Sequence, residues 1–169
     1  YQGEYDFGTL AADADAKVEV LRGQQSSLYG SDAIGGVIHY ITLSGAEAPG
    51  FSARAEGGSF GTVSGSARAA GASGGFDYAV TGTYYRTDGT PTARLGSRDL
   101  GSDIAGLSGK LNWSLGDNFK VTAVARYSYT RADTNSSEND PTSPLFGTIV
   151  DTPGAHYKNE ALYGLIRAE

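Results

Sequence analysis

The sequence predicts an all-β chain: about six antiparallel strands of a partial transmembrane β-barrel, preceded by the end of a small α+β unit. Three observations predict it. From residue 51 onward apolar and polar side chains alternate with a period of two, which sends them to opposite faces of extended strands. Tight glycine turns alternate with long polar loops, as they do in outer-membrane barrels. Aromatic residues gather at strand ends around small apolar middles, as interfacial girdles do.

The elements follow in chain order. Lys17 to Gly23 reads as a short strand, Ser26 to Tyr29 as one helical turn, and Val37 to Thr42 as a second, β-branched strand. The Gly35-Gly36 pair is expected to supply positive φ for a tight entry into that strand. Ser44-Gly45-Ala46-Glu47-Ala48-Pro49-Gly50 marks a change of pattern and reads as a linker. The expected organisation is therefore residues 1–44 as one unit, 45–50 as linker, and 51–169 as strands.

Beyond the linker, weak small-residue strands run from Phe51 to Glu56 and from Val63 to Ala69. Stronger ones follow. Phe76, Tyr78, Val80, Gly82 and Tyr84 alternate with Asp77, Ala79, Thr81 and Thr83. Leu107, Gly109, Leu111 and Trp113 alternate with Ser108, Lys110 and Asn112. Val121, Ala123, Ala125, Tyr127 and Tyr129 alternate with Lys120, Thr122, Arg126 and Ser128, and a last segment covers about Tyr157 to Arg167. A twelve-residue strand tilted ~45° covers about 28 Å, enough for an apolar band of ~25 Å. Tyr127, Tyr129, Trp113 and Leu111 are expected to face lipid, and Lys110, Asn112, Lys120, Arg126 and Arg68 a polar lumen. Ser73-Gly74-Gly75 and Gly116-Asp117-Asn118 are the tight turns; 86–103 and 132–155 are the long loops, expected outside the cell. A soluble sandwich also alternates, but its inner faces need more Leu, Ile and Val than these Gly and Ala rows supply.

Composition narrows the function. Glycine numbers 25 and cysteine 0; the first is about twice average usage, and the second excludes disulfides, zinc thiolates and a cysteine nucleophile. The net charge of -6 speaks against nucleic acid, which needs a basic stripe. No apolar run approaches the ~20 residues of a membrane-spanning helix. Gly30 to Gly35 has phosphate-loop spacing, yet Gly36-Val37 stands where Lys and Ser or Thr are required. Asp133 to Ser137 opens like a calcium loop, but Glu138 occupies the glycine position and Pro144 the glutamate position. His39 and His156 lack neighbouring ligands in sequence and read as polar strand residues. Neither an enzyme, nor a metal site, nor a cofactor is expected.

The stretch from Val18 to Ile38, with VEVLRG and SSLYGSDAIGGVI in order, resembles the end of the plug domain of TonB-dependent outer-membrane receptors. With Asp6-Phe7 upstream, the resemblance covers about the first 42 residues. Gln24 stands where the family commonly has Pro, and His39 where Asn is common. The resemblance implies a plug inside a 22-stranded barrel in the outer membrane of a Gram-negative bacterium. It implies capture of a scarce extracellular small molecule, a siderophore-iron complex or a cobalamin, and import driven by the TonB protein. Partners are then TonB, outer-membrane lipid and that ligand, with no nucleic acid; the TonB-contacting segment is expected outside this chain, which reads as an excerpt of a longer barrel. Glu19, Arg22, Gly23, Tyr29, Gly30, Gly35 and Gly36 are the motif positions expected to shape or gate the plug. By resemblance Arg22 reaches acidic groups on the barrel wall; the substrate-binding residues stay unknown. The competing readings are a passive porin, which has no plug, and a secreted or surface β-sheet adhesin or binding module without transport.

Overall fold

The structure is a computed structural model and describes residues 16–169 apart from Gln25, Asp32 and Asp117. The Asp6-Phe7 part of the resemblance lies outside the described residues. Strands β1 (Ala16–Arg22) and β2 (Gly36–Thr42) pair antiparallel, and the single turn α1 (Ser26–Tyr29) lies between them in sequence. The β-branched residues of both strands suit a pleated ribbon. Gly36 has φ 146°, and a Cβ there meets the Leu21 carbonyl oxygen at 2.5 Å, so the entry into β2 requires glycine. Gly35 is not in the positive-φ region, contrary to the expectation for the pair; Gly36 alone makes that turn.

The rest is one antiparallel sheet of six strands in sequence order: β3 (Gly50–Gly57), β4 (Val63–Ser73), β5 (Phe76–Thr87), β6 (Ser102–Ser114), β7 (Lys120–Asp133) and β10 (His156–Ala168). Gly50, placed in the linker by sequence, already belongs to β3; the connection from β2 runs from Leu43 to Pro49. The β4–β5 turn has only Gly74 and Gly75 between strands, both at positive φ, the backbone a tight hairpin needs. The β6–β7 turn closes with the Leu115 N–H donating to the Phe119 carbonyl at 2.8 Å.

At the opposite end the connections lengthen, with one exception. The β3–β4 connection is only Gly58 to Thr62, closed by Gly58 N–H to Thr62 O at 2.8 Å. The two long loops are interlocked. Within 134–155 a short hairpin forms from β8 (Ser136–Ser137) and β9 (Ile149–Val150). The Arg98 guanidinium donates to Thr134 O at 2.7 Å and to Ala155 O at 3.0 Å, while one Asp151 carboxylate oxygen accepts from the Ser97 and Arg98 amides at 2.8 and 3.1 Å. Those amides hold the Asp151 carboxyl below the usual aspartate range.

Register separates two faces of the sheet, with exceptions: Glu160 falls in the Tyr84 and Tyr129 row of the apolar face, and Ile104, Val124, Tyr163 and Leu165 fall on the polar one. One face carries, from the loop end, a charged row of Arg86, Asp103, Arg131 and Lys158. Below it lie Tyr84 and Tyr129, then Leu107, Tyr127 and Leu162, then the small row Gly109, Ala125 and Gly164, then Tyr78, Leu111 and Ile166, and last Phe76 and Trp113. The ten residue steps from Phe76 to Arg86 span about 24 Å when tilted ~45°, the height of an outer-membrane apolar band. The other face carries Arg68, Asp77, Lys110, Asn112, Lys120 and Arg126, as the alternation predicts. Among the described residues the buried hydrophobics are three alanines, Ala33, Ala70 and Ala79, whereas Leu162, Ile166 and Trp113 are exposed. So large an exposed apolar face marks a surface that lipid or another protein surface covers.

Candidate functional site

The motif residues all fall in the β1–α1–β2 unit. Glu19 lies in mid-β1, opposite His39 in β2. Its carboxylate meets the Lys17 ammonium at 2.5 Å and the His39 ring at 3.7 Å. The Lys17 hydrogen bond holds the Glu19 carboxyl below its ordinary range and raises the lysine in return. All three groups are substantially exposed, so the cluster orders the ribbon surface more than it stabilises it. Arg22 ends β1 opposite Gly36 and is exposed. Among the described residues it has no ion-pair partner, so its role toward the barrel wall stays an expectation of the resemblance.

The remaining motif positions build the crossing from β1 to β2. Gly23 at φ 92° leaves β1, and its N–H donates to Gly35 O at 3.4 Å. Tyr29 closes α1 with its ring half exposed, and Gly30 at φ 91° ends the turn with its N–H on Ser26 O at 3.1 Å. The motif thus brings Gly23, Gly35 and Gly36 together at one end of the ribbon and puts Glu19 midway along it.

The polar contacts of the site converge instead on the connection that follows β2, which lies across the polar face of the sheet. Ser44, Gly45 and Glu47 make a capped single turn: Ser44 N–H donates to Glu47 Oε2 at 2.7 Å, Glu47 N–H to Ser44 Oγ at 3.2 Å, and Ala48 N–H to Ser44 O at 3.2 Å. This is the reciprocal capping of an S-x-x-E sequence. The bonds from Ser44 draw the Glu47 carboxyl below its ordinary range. Three strands hold the turn and a fourth braces them. Arg68 of β4 donates to Ser44 O at 3.3 Å and to Ala48 O; Asp77 of β5 accepts the Gly45 N–H at 2.5 Å; Lys110 of β6 donates to Thr42 O at 3.0 Å. Asn112 of β6 donates to the second Asp77 oxygen at 3.3 Å and accepts from Thr122 of β7 at 2.8 Å.

Sequence reasoning placed Arg68 and Lys110 on the lumen face but missed Asp77, Ser44 and Gly45 as partners. The S-x-x-E spacing at Ser44 to Glu47 was the available signal for the turn. Ser44 and Arg68 are each only 6% exposed. Gly45 sits so close to the sheet that a Cβ meets the Gly71 and Tyr78 carbonyl oxygens at 2.2 Å.

Elsewhere, a cavity of about 240 Å³ at the loop end is lined by Arg86, Asp88, Asp99, Asp103, Arg131 and Asp133. It is smaller than the usual range for organic-ligand pockets. Among the described residues no cluster of acidic or histidine side chains is arranged to hold a metal ion, and no helix is long and apolar enough to cross a membrane.

An antiparallel sheet with one apolar, aromatic-bordered face and one polar face, crossed by the segment that follows a glycine-cornered ribbon, has the build of a barrel wall with the end of a plug on it. Residues 1–37 match the TonB-dependent Receptor Plug Domain. The match falls on the first 37 of the 169 residues and likens that part of the chain to the plug of a TonB-dependent receptor. The chain is similar to the vitamin B12 transporter BtuB of Vibrio vulnificus (strain YJ016), 49% identical over 41 residues, which is 24% of this chain and 7% of that protein. No solved structure matches the chain.

Proposed function

We propose that this chain supplies the C-terminal end of the plug and six wall strands of an outer-membrane receptor that imports a scarce solute with energy delivered through TonB. The observation that carries the reading is the match of residues 1–37 to the plug domain, which a passive porin or an adhesin has no use for. The apolar face then meets lipid, the polar face the lumen, and the interlocked loops 88–101 and 134–155 the medium. Residues 1–44 are plug and 51–169 wall.

The solute class follows the relative. Similarity to a vitamin B12 transporter favours a cobalamin over a siderophore-iron complex. The motif residues act on the plug and not on the ligand: Gly23, Gly30 and Gly36 shape its corners, and Arg22 faces the wall. Uptake by the full-length protein tests this, with labelled cobalamin and a ferric siderophore in cells with and without TonB. Cobalamin uptake that needs TonB supports the reading. Flux of small solutes independent of TonB points to a porin, and surface binding without uptake to an adhesin.

A further inference from the structure

The contacts on the connection between β2 and β3 do more than join two regions. Lys110 and Arg68 bind the carbonyl oxygens of Thr42, Ser44 and Ala48, and Asp77 binds the Gly45 amide. All are contacts to backbone, so the wall grips the path of the chain rather than its side chains. The turn is closed internally by Ser44 and Glu47, which lets it stay folded whatever happens N-terminal to it. Asp77 is itself oriented by Asn112, and Asn112 by Thr122, so the seat is braced across three strands.

We propose that Arg68, Asp77 and Lys110 are positioning residues that hold residues 42–48 as the fixed end of the plug, so that motion driven by TonB stops at Thr42 and does not reach the wall. This rests on the receptor reading above and adds a second anchorage, distinct from Arg22. Charge-assisted hydrogen bonds to backbone are the strong kind, and Gly45 leaves no slack between turn and sheet.

These 169 residues contain no cysteine, so in a full-length receptor with any cysteines elsewhere replaced by serine a single introduced cysteine reports cleanly. Ala46 and Leu28 are both exposed, the first in the seated turn and the second in α1. In the full-length receptor, in energised cells with and without TonB, labelling of Ala46→Cys by a membrane-permeant maleimide is expected to be independent of TonB. Labelling of Leu28→Cys is expected to change with TonB. Adding Arg68→Ala and Asp77→Ala is expected to make Ala46→Cys labelling depend on TonB, by about tenfold or more. Asp77→Asn keeps an acceptor for the Gly45 amide once the Asn112 amide flips, so it restores the intact behaviour. TonB-dependent labelling at position 46 with the seat intact overturns the proposal. So does unchanged labelling when the seat is removed from a receptor that still shows the heat-shifted gel mobility of a folded barrel. If Leu28→Cys and solute uptake both ignore TonB, it is the receptor reading that fails, and amide exchange at Gly45 in Asp77→Ala then measures the seat by itself.

Discussion

In the β1–α1–β2 unit the backbone is specified and the packing is not. Gly23, Gly30 and Gly36 set three corners at positive φ, while Val18 and Val20 stay 50% and 60% exposed. In the six-stranded sheet the reverse holds. Strands of up to 14 residues pair in unbroken order, and glycines inside them such as Gly82, Gly109 and Gly164 have about 4 Å of free space at a Cβ. A corner accepts few residues, so the first region is recognisable residue by residue. A wall needs only alternation of the right length, which many sequences satisfy. The family match accordingly falls on residues 1–37 and the sheet is identified by physics.

Substitutions can break that contrast, starting with the largest effect. Ala125→Arg puts a charge into the small row of the apolar face, at an expected cost of about 2–4 kcal/mol near the bilayer midplane. Ser128→Arg, pointing to the polar face three residues away, is expected to cost little. Folding titrations of the full-length protein in lipid vesicles compare them, and equal stabilities would reverse the assignment of the faces.

Glycine replacement sharpens the contrast directly. Gly36→Ala drives a Cβ against Leu21 O and strains the backbone, for about 1–3 kcal/mol. Gly164→Ala meets nothing closer than Val124 O at 3.9 Å and is expected to be silent. Amide exchange at Val20 and Arg22 is the readout for the first, and at β10 for the second.

A smaller effect concerns the loops. The Asp151 carboxyl is lowered by the Ser97 amide, so its contribution is complete above the ordinary aspartate value of ~3.9 and is lost as pH falls through the lowered folded value. Protection of the Ser97 and Arg98 amides is expected to persist at pH 5 and to disappear in strong acid. Asp151→Ala removes it at every pH, with the sheet unaffected. The smallest effect is expected from Glu19→Gln: its exposed bonds to Lys17 and His39 are worth little, and the thermal transition of the full-length protein should not move.

Much of this architecture is legible in the sequence because its rules are local. Period two gives the strands and both faces, and Gly74-Gly75 gives its turn. The β8–β9 hairpin escapes because each strand is two residues long and pairs through loop contacts to Arg98 and Asp151 that have no sequence period. The seat escapes because it depends on register. Asp77 is one polar residue among many until pairing sets it beside Asn112 and under Gly45. The short β3–β4 connection escapes because Phe60 takes positive φ there, unusual for a non-glycine residue, beside Gly61.

Three alanines are the buried hydrophobics of the described residues, and this bears on how the chain reaches its fold. Among the described residues the sheet has no apolar interior to collapse around, so on the receptor reading proposed above its folding free energy comes from the lipid it enters. Pairing of the strands and transfer of their apolar face to lipid then become one event. The full-length protein diluted from denaturant into buffer is expected to aggregate through surfaces such as the Tyr78, Leu111 and Ile166 row, and the same dilution into vesicles to yield the paired sheet. On that reading the bilayer takes the place of the hydrophobic core.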